Sequence, residues 1–231
     1  MALADDLMVL RERVLTELVS AHDYYTDTRI AWRLVYRVVA AGNAITIRNT
    51  TTGTVTTQFD LTARSRGYVA EQLAEATFQQ FVSLFESFLF DFLRHWLTEY
   101  PQSLGKKTVD FKTVLELPDK DAVAQLVVGR ELNEVLYDRP AGWFNYLEDK
   151  VKLGRPSANE IERIAEIKAS RDALVHNRGI ANRTYLSKAG SLARFREGNK
   201  IDIPEHYHRE TWVLIRKIVS DISDAAIAKA L

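Results

Sequence analysis

Between Tyr68 and Tyr100 the chain places large apolar residues at helical spacing: Val69, Leu73, Ala76, Phe81, Leu84, Phe85, Phe88, Phe92 and Trp96. Residues three and four apart share one face of a helix. The run therefore predicts a single long helix with an aromatic stripe that must be covered, and Pro101 stops it. A stripe of this bulk is the natural centre of a helical bundle. Gln79, Gln80, Glu86, Asp91, Arg94 and His95 interrupt the apolar stretch, which marks a core helix rather than a membrane span.

The flanking segments fit a mainly α fold with a small β-hairpin. Leu7, Leu10, Val14, Leu18 and Ala21, continued by Ile30, Leu34, Val35 and Val38, predict a helix over about residues 5–40. The Thr-rich stretch 44–62, with Ile45, Ile47, Val55 and Phe59 around Gly53, predicts a hairpin. After Pro101 come a loop over 101–111, a short helix over about Lys112–Leu117, and a helix capped by Asp119. A break at Arg139–Gly142 precedes a helix over Trp143–Lys152. Ser157-Ala158-Asn159-Glu160 is a capping box for a helix ending near His176 or Asn177, with Gly179 as its left-handed stop. Residues 184–203 read as a loop or hairpin, and Pro204–Ala230 as a last helix. Residues 1–66 form an N-terminal helix-plus-hairpin extension, and 67–231 a helical core that packs with it as one unit.

Composition narrows the chemistry. The 231 residues carry 31 basic and 31 acidic side chains, so the formal net charge is zero. A generally basic nucleic-acid binder is disfavoured, although a local basic groove is not. With no cysteine, thiolate catalysis, iron–sulfur clusters and disulfides are absent. The N-terminus lacks a basic segment followed by an apolar run, so the expected location is cytoplasmic.

The helix over 157–177 carries the functional argument. At about 100° per residue, Ile161, Ile164, Ile167, Leu174 and Val175 cluster on one side, with Arg171 near the middle. A cation there must be paired, solvated through a cleft, or used. His176 lies about 140° around from Arg171 on an ideal helix. The two converge only if the helix ends locally or if two copies face each other across a two-fold axis. Arginine offers a planar donor fork suited to phosphate. Histidine can move protons near neutral pH, and in the last turn it lies at the negative end of the helix dipole. Spacing alone is weak: a structural Arg171 paired with a carboxylate such as Glu86, beside a surface histidine, is the ordinary alternative.

Further residues sharpen the reading. Phe85-Glu86-Ser87-Phe88-Leu89, Trp143-Phe144-Asn145-Tyr146-Leu147 and Arg171-Asp172-Ala173-Leu174-Val175-His176-Asn177-Arg178-Gly179, followed by Asn182 and Tyr185, occur in this order. From about residue 70 onward the chain resembles the HEPN superfamily, in its branch of stand-alone RNA-cleaving domains. The third segment is similar to that family's Arg-x4–6-His signature. The resemblance implies a helical bundle and a homodimer with apposed motif helices. It also implies endoribonuclease activity without metal or cofactor, with Arg171 and His176 catalytic. Asp172, where the family commonly has Asn, and Asn177 are supporting residues, as is Glu86. RNA is the implied substrate, in a toxin or defence role, with an antitoxin or defence protein as the further partner. Toxins of the superfamily that are silenced by nucleotidylation carry Tyr where this chain has Arg178, so that regulation is not expected. A non-catalytic HEPN-type dimer binding RNA or protein is the alternative.

Other candidates are weaker. His206-Tyr207-His208 has two potential metal ligands and no third nearby. Trp143, Phe144 and Tyr146 can stack bases but fit core packing better. Arg194, Arg196 and Lys200, with Lys188, form a basic stretch that suits either an RNA backbone or solvent.

Overall fold

The computed structural model describes residues 2–231 (for Arg66 and Ala70, the backbone alone). Helix α1 spans Ala2–Ala40. A hairpin of two short strands follows, β1 Ile47–Arg48 and β2 Val55–Thr56, with Ile47 opposite Thr56 and Arg48 opposite Val55. Asn49 shapes the turn: its Oδ1 accepts from the amides of Thr51 and Thr52 at 2.9 and 3.0 Å. Gly53 closes it at φ +71°, a conformation that glycine adopts without steric cost. The ladder is shorter than the span 44–62, and Phe59 is helical. Thr57 caps helix α2 (Gln58–Gly67) in a box with Asp60, which ends the strand tendency of the threonines.

Helix α2 runs through one widened turn, Tyr68–Gln72, into α3 (Leu73–Glu99). Phe78, Phe81, Phe85, Phe88, Phe92 and Trp96 of α3 are buried. They pack among α1, α5 (Lys120–Leu136), α7 (Ala158–His176) and α9 (Glu205–Ala230). The stripe is thus the bundle's centre, with Ala76 of the expected set on the exposed side. Between α3 and α5 lies the short α4 (Phe111–Glu116), and α6 (Pro140–Val151) starts on Pro140 rather than Trp143. Proline suits the first helical position because its missing N–H has no partner to lose there. Within residues 184–203 the expected loop holds from residue 193 onward, whereas the first part is helical. Asn182 Oδ1 accepts from the Tyr185 amide at 2.9 Å and caps α8 (Arg183–Ala189); only an isolated bridge, Ile180 to Lys200, is strand-like.

The packing divides the first 66 residues. Leu3, Leu7, Leu10, Val14, Leu18 and Tyr25 belong to the main core, whereas α1 beyond Tyr25 and the hairpin contribute no buried side chain. No described helix is long and apolar enough to cross a membrane.

His208, on α9, is fully buried. It stacks on Tyr25 with centroids 3.8 Å apart, and Phe81 lies at 4.8 Å. The Thr77 hydroxyl donates to the Leu73 carbonyl at 2.7 Å, so it accepts from His208 Nε2 at 2.8 Å. That leaves Nδ1 buried with no partner among the described residues. Burial, aided by the charges of His22 and Arg29, pushes the imidazole down to about 3. A folded value below the unfolded one means that the unfolded chain binds more protons between pH 6.5 and 3. Stability is then fully present above about 6.5 and falls as pH drops, with a slope of about 1 kcal/mol per pH unit. Urea unfolding at stepped pH should show this slope. His208→Gln, which keeps a donor for Thr77, should remove this contribution and leave that of carboxylates held below their ordinary value, such as Glu160 and Asp172. His206, two residues away on the same helix, is exposed, so the two histidines do not share a ligand site.

Candidate functional site

The end of α7 is built as the sequence leads one to expect, with one change. The Ser157 amide and hydroxyl donate to Glu160 Oε2 at 2.9 and 2.7 Å, starting the helix at Ala158. At the other end the first left-handed residue is Arg178 (φ +56°), and Gly179 follows at φ +72°. The Gly179 amide donates back to the Ala173 carbonyl at 3.0 Å, and the Gly179 carbonyl accepts from Ile201 at 2.7 Å. A Cβ at Gly179 would meet only Leu174, at 3.5 Å; its backbone angle, not lack of room, calls for glycine. Asn177 Nδ2 donates to the Ile180 carbonyl at 2.6 Å. Its side chain therefore holds the turn that follows His176.

Arg171 is directed inward to α3, where its guanidinium pairs with Glu86, and it also bonds Asp172 at 3.1 Å. Lys168 lies 2.7 Å from Glu86 and 3.2 Å from Asp172. Lys188, from α8, reaches Asp172 at 3.0 Å. Burial alone would raise the Asp172 carboxyl, but the bond from Lys188 and the charges of Lys168 and Lys188 outweigh it and hold it below the usual range. Asp172 thus stays ionised at neutral pH. Three cations surround two carboxylates, leaving one positive charge in excess. The Arg171 Nε–H is buried without a partner among the described residues, so the guanidinium retains donor capacity.

His176 is exposed and makes no ion pair with this cluster. It lines an open groove of about 240 Å³ with Asp172, Asn177, Asn182, Thr184 and Lys188. The structure therefore brings Arg171, Asp172 and Glu86 into one network and puts His176 and Asn177 on the groove that Asp172 also borders. Arg171 and His176 themselves diverge, as their angular separation requires. Val175 and Ile180, also exposed, flank the same helix end.

Sequence reasoning missed Lys168 as a site residue, although its i,i+4 spacing to Asp172 was a legible signal. Glu166 was missed altogether. It is buried, and accepts from Ser170 at 2.7 Å, Tyr185 at 3.2 Å, Arg194 Nε at 3.0 Å and the Tyr207 hydroxyl. Burial raises both tyrosines above their ordinary value, well above it for Tyr207, so both remain donors. The expected basic stretch is dispersed. Arg194 is tied to Glu166, Lys188 to Asp172 and Lys200 to Glu71; Arg196 alone of the four is exposed without an ion pair among the described residues. Trp143 and Phe144 are buried in the core and are not base platforms.

The chain matches no protein-family model, no curated protein and no solved structure.

Proposed function

We propose that this chain is an endoribonuclease of HEPN type that works as a homodimer. The observation that carries the reading is the exposed His176 imidazole beside a cluster with one excess positive charge, on a groove open to solvent. Such a site favours an anion, and the imidazole supplies the proton transfer that phosphodiester cleavage requires. In the proposed reaction the ribose 2′-oxygen bonds to phosphorus as its proton passes to His176. The bond from phosphorus to the 5′-oxygen breaks, and that oxygen takes a proton from the His176 of the second copy. Lys188 and Arg171 counter the charge that builds on the phosphoryl oxygens. Arg171 does so through donors that Glu86 and Asp172 leave unused, or by exchanging Glu86 for phosphate.

Two copies suit this scheme because one protomer keeps Arg171 and His176 apart. The exposed Val175 and Ile180 offer apolar surface for apposing the two helix ends. The alternative, a dimer that binds RNA or protein without cutting, draws on the same divergence: Arg171 is already engaged by two carboxylates. Incubation with RNA in excess chelator separates the two. The expected products carry 2′,3′-cyclic phosphate and 5′-hydroxyl ends, and light scattering should report a dimer. Cutting that stops on chelation and returns with magnesium would overturn the mechanism, and binding without products would establish the alternative. A toxin or defence role predicts that the intact gene slows host growth while a His176→Ala gene does not.

A further inference from the structure

The second half of α1, the hairpin and α2 form an arm whose composition differs from the rest of the chain. Residues 26–67 contain six arginines, no lysine and two aspartates, whereas the whole protein is neutral. The remaining residues therefore carry a net negative charge, and the positive charge is concentrated here. Arg29, Arg33 and Arg37 recur at intervals of four along α1, a column with about 6 Å of rise per step. Arg29 anchors the arm to Glu205 at 2.6 Å. Arg33, Arg37 and Arg48 are exposed and make no ion pair among the described residues. Two exposed aromatic rings belong to the same arm. Tyr36 is 50% exposed and Phe59 77%, and both border an open groove of about 440 Å³ between α1 and α2.

The base of the arm adjoins the end of α7. Ile180, four residues past His176, bridges to Lys200, and Lys200 Nζ lies 2.6 Å from Glu71 in the turn joining α2 to α3. The α9 N-terminus meets α1 at the Arg29–Glu205 pair. These contacts link the segment that follows His176 to the root of the arm through Lys200.

We propose that the arm grips single-stranded RNA and feeds it to the groove beside His176, with Arg33, Arg37 and Arg48 on phosphates and Tyr36 and Phe59 under bases. This inference rests on the ribonuclease reading and adds a substrate class to it. Unpaired arginines and exposed rings on one arm provide the two elements of single-strand binding: charge along the backbone, and stacking faces that accept any base. The exposed aliphatic residues Ile30, Leu34 and Val38 would also suit a protein surface. The combination of unpaired arginines with exposed rings is what favours RNA, and a second copy, whose residues 116–149 carry eight acids against three bases, is the outcome that the dimer measurement reads.

The test is fluorescence anisotropy with a labelled single-stranded RNA of about 20 nucleotides, in a His176→Ala background so that the probe is not cut. Adding Arg33→Glu, Arg37→Glu and Arg48→Glu should weaken binding roughly 30-fold at about 0.1 M salt. The slope of log affinity against log salt should shrink by about 2. Because the three side chains are exposed and unpaired, the melting curve should not move. With His176 intact, the triple variant should raise KM on the long RNA and leave turnover of a dinucleotide unchanged. Unaltered affinity and salt slope would overturn the proposal. So would loss of the dimer in the triple variant, which would make the arm a self-association surface, or capture of the arm by anionic phospholipid vesicles without affinity for RNA. Arm-dependent binding with no cleavage by the wild type would refute the ribonuclease reading and leave the grip standing; cleavage indifferent to the arm would do the reverse.

Discussion

Glu166→Ala is expected to lower stability by about 3 kcal/mol and the melting temperature by about 10 °C. Four donors converge on this carboxylate: Ser170, Tyr185, Tyr207 and Arg194. Alanine would leave two phenols kept protonated by burial and one guanidinium without their acceptor. Arg194 softens the loss, because it also donates to Ser170 at 3.3 Å and to the Asp202 carbonyl at 3.1 Å. Its guanidinium lies 3.4 Å over the Tyr207 ring as well. Glu166→Gln, which retains one acceptor oxygen, should cost about half as much. The double variant Glu166→Leu, Arg194→Met should cost less than the sum of its parts, since removing both charges leaves neither stranded. Chemical denaturation of the wild type, Glu166→Ala, Glu166→Gln, the double variant and its two single components, Glu166→Leu and Arg194→Met, reads this directly. Additive losses would mean that the network is not the energetic unit described. Tyr185 also borders the groove beside His176, so the stability of this network and the shape of the groove are linked.

The second large effect separates the two signature residues. His176→Ala should reduce RNA cleavage by about 10²–10⁴-fold while leaving the melting temperature unchanged, because the side chain is exposed and makes no hydrogen bond or ion pair among the described residues. Arg171→Ala should reduce cleavage as well, but with a stability loss of about 2 kcal/mol, since it strands Glu86 beside Lys168 alone. A melting curve measured beside each activity keeps the two causes apart. Glu86→Gln is the control: it weakens the hold on Arg171 without removing the guanidinium. Arg171 acting on phosphate predicts that Glu86→Gln retains cleavage; a purely structural arginine predicts parallel loss of stability and activity in both variants. Full activity in His176→Ala would refute the site.

The two networks on α7 show how far local pattern reaches. Arg171 on an apolar helix face demanded a partner by simple desolvation, and Glu86, in the aromatic helix expected at the bundle's centre, was a natural candidate. The pairing was legible for that reason. Asp172 and Lys168 were within reach of spacing, being four residues apart. Lys188 on Asp172 and Arg194 on Glu166 were not, because they come from a segment read as a loop. One side-chain cap, Asn182 on the Tyr185 amide, turns the first part of that segment into a helix that carries Lys188 to the groove, while Arg194 reaches Glu166 from the irregular chain beyond it.

The sequence by itself determined the elements: the α3 stripe, the Ser157–Glu160 cap, the turn at Gly53, and the 140° between Arg171 and His176. All follow from rules of period and local hydrogen bonding that act within a few residues. Only the tertiary structure decided where the charges went. It drew most of a nominal basic stretch into separate ion pairs, and it left Arg33, Arg37 and Arg48 exposed on the arm. Burial sets that distribution, because a charge inside the fold must find a partner and the available partners lie on distant segments brought together only by packing.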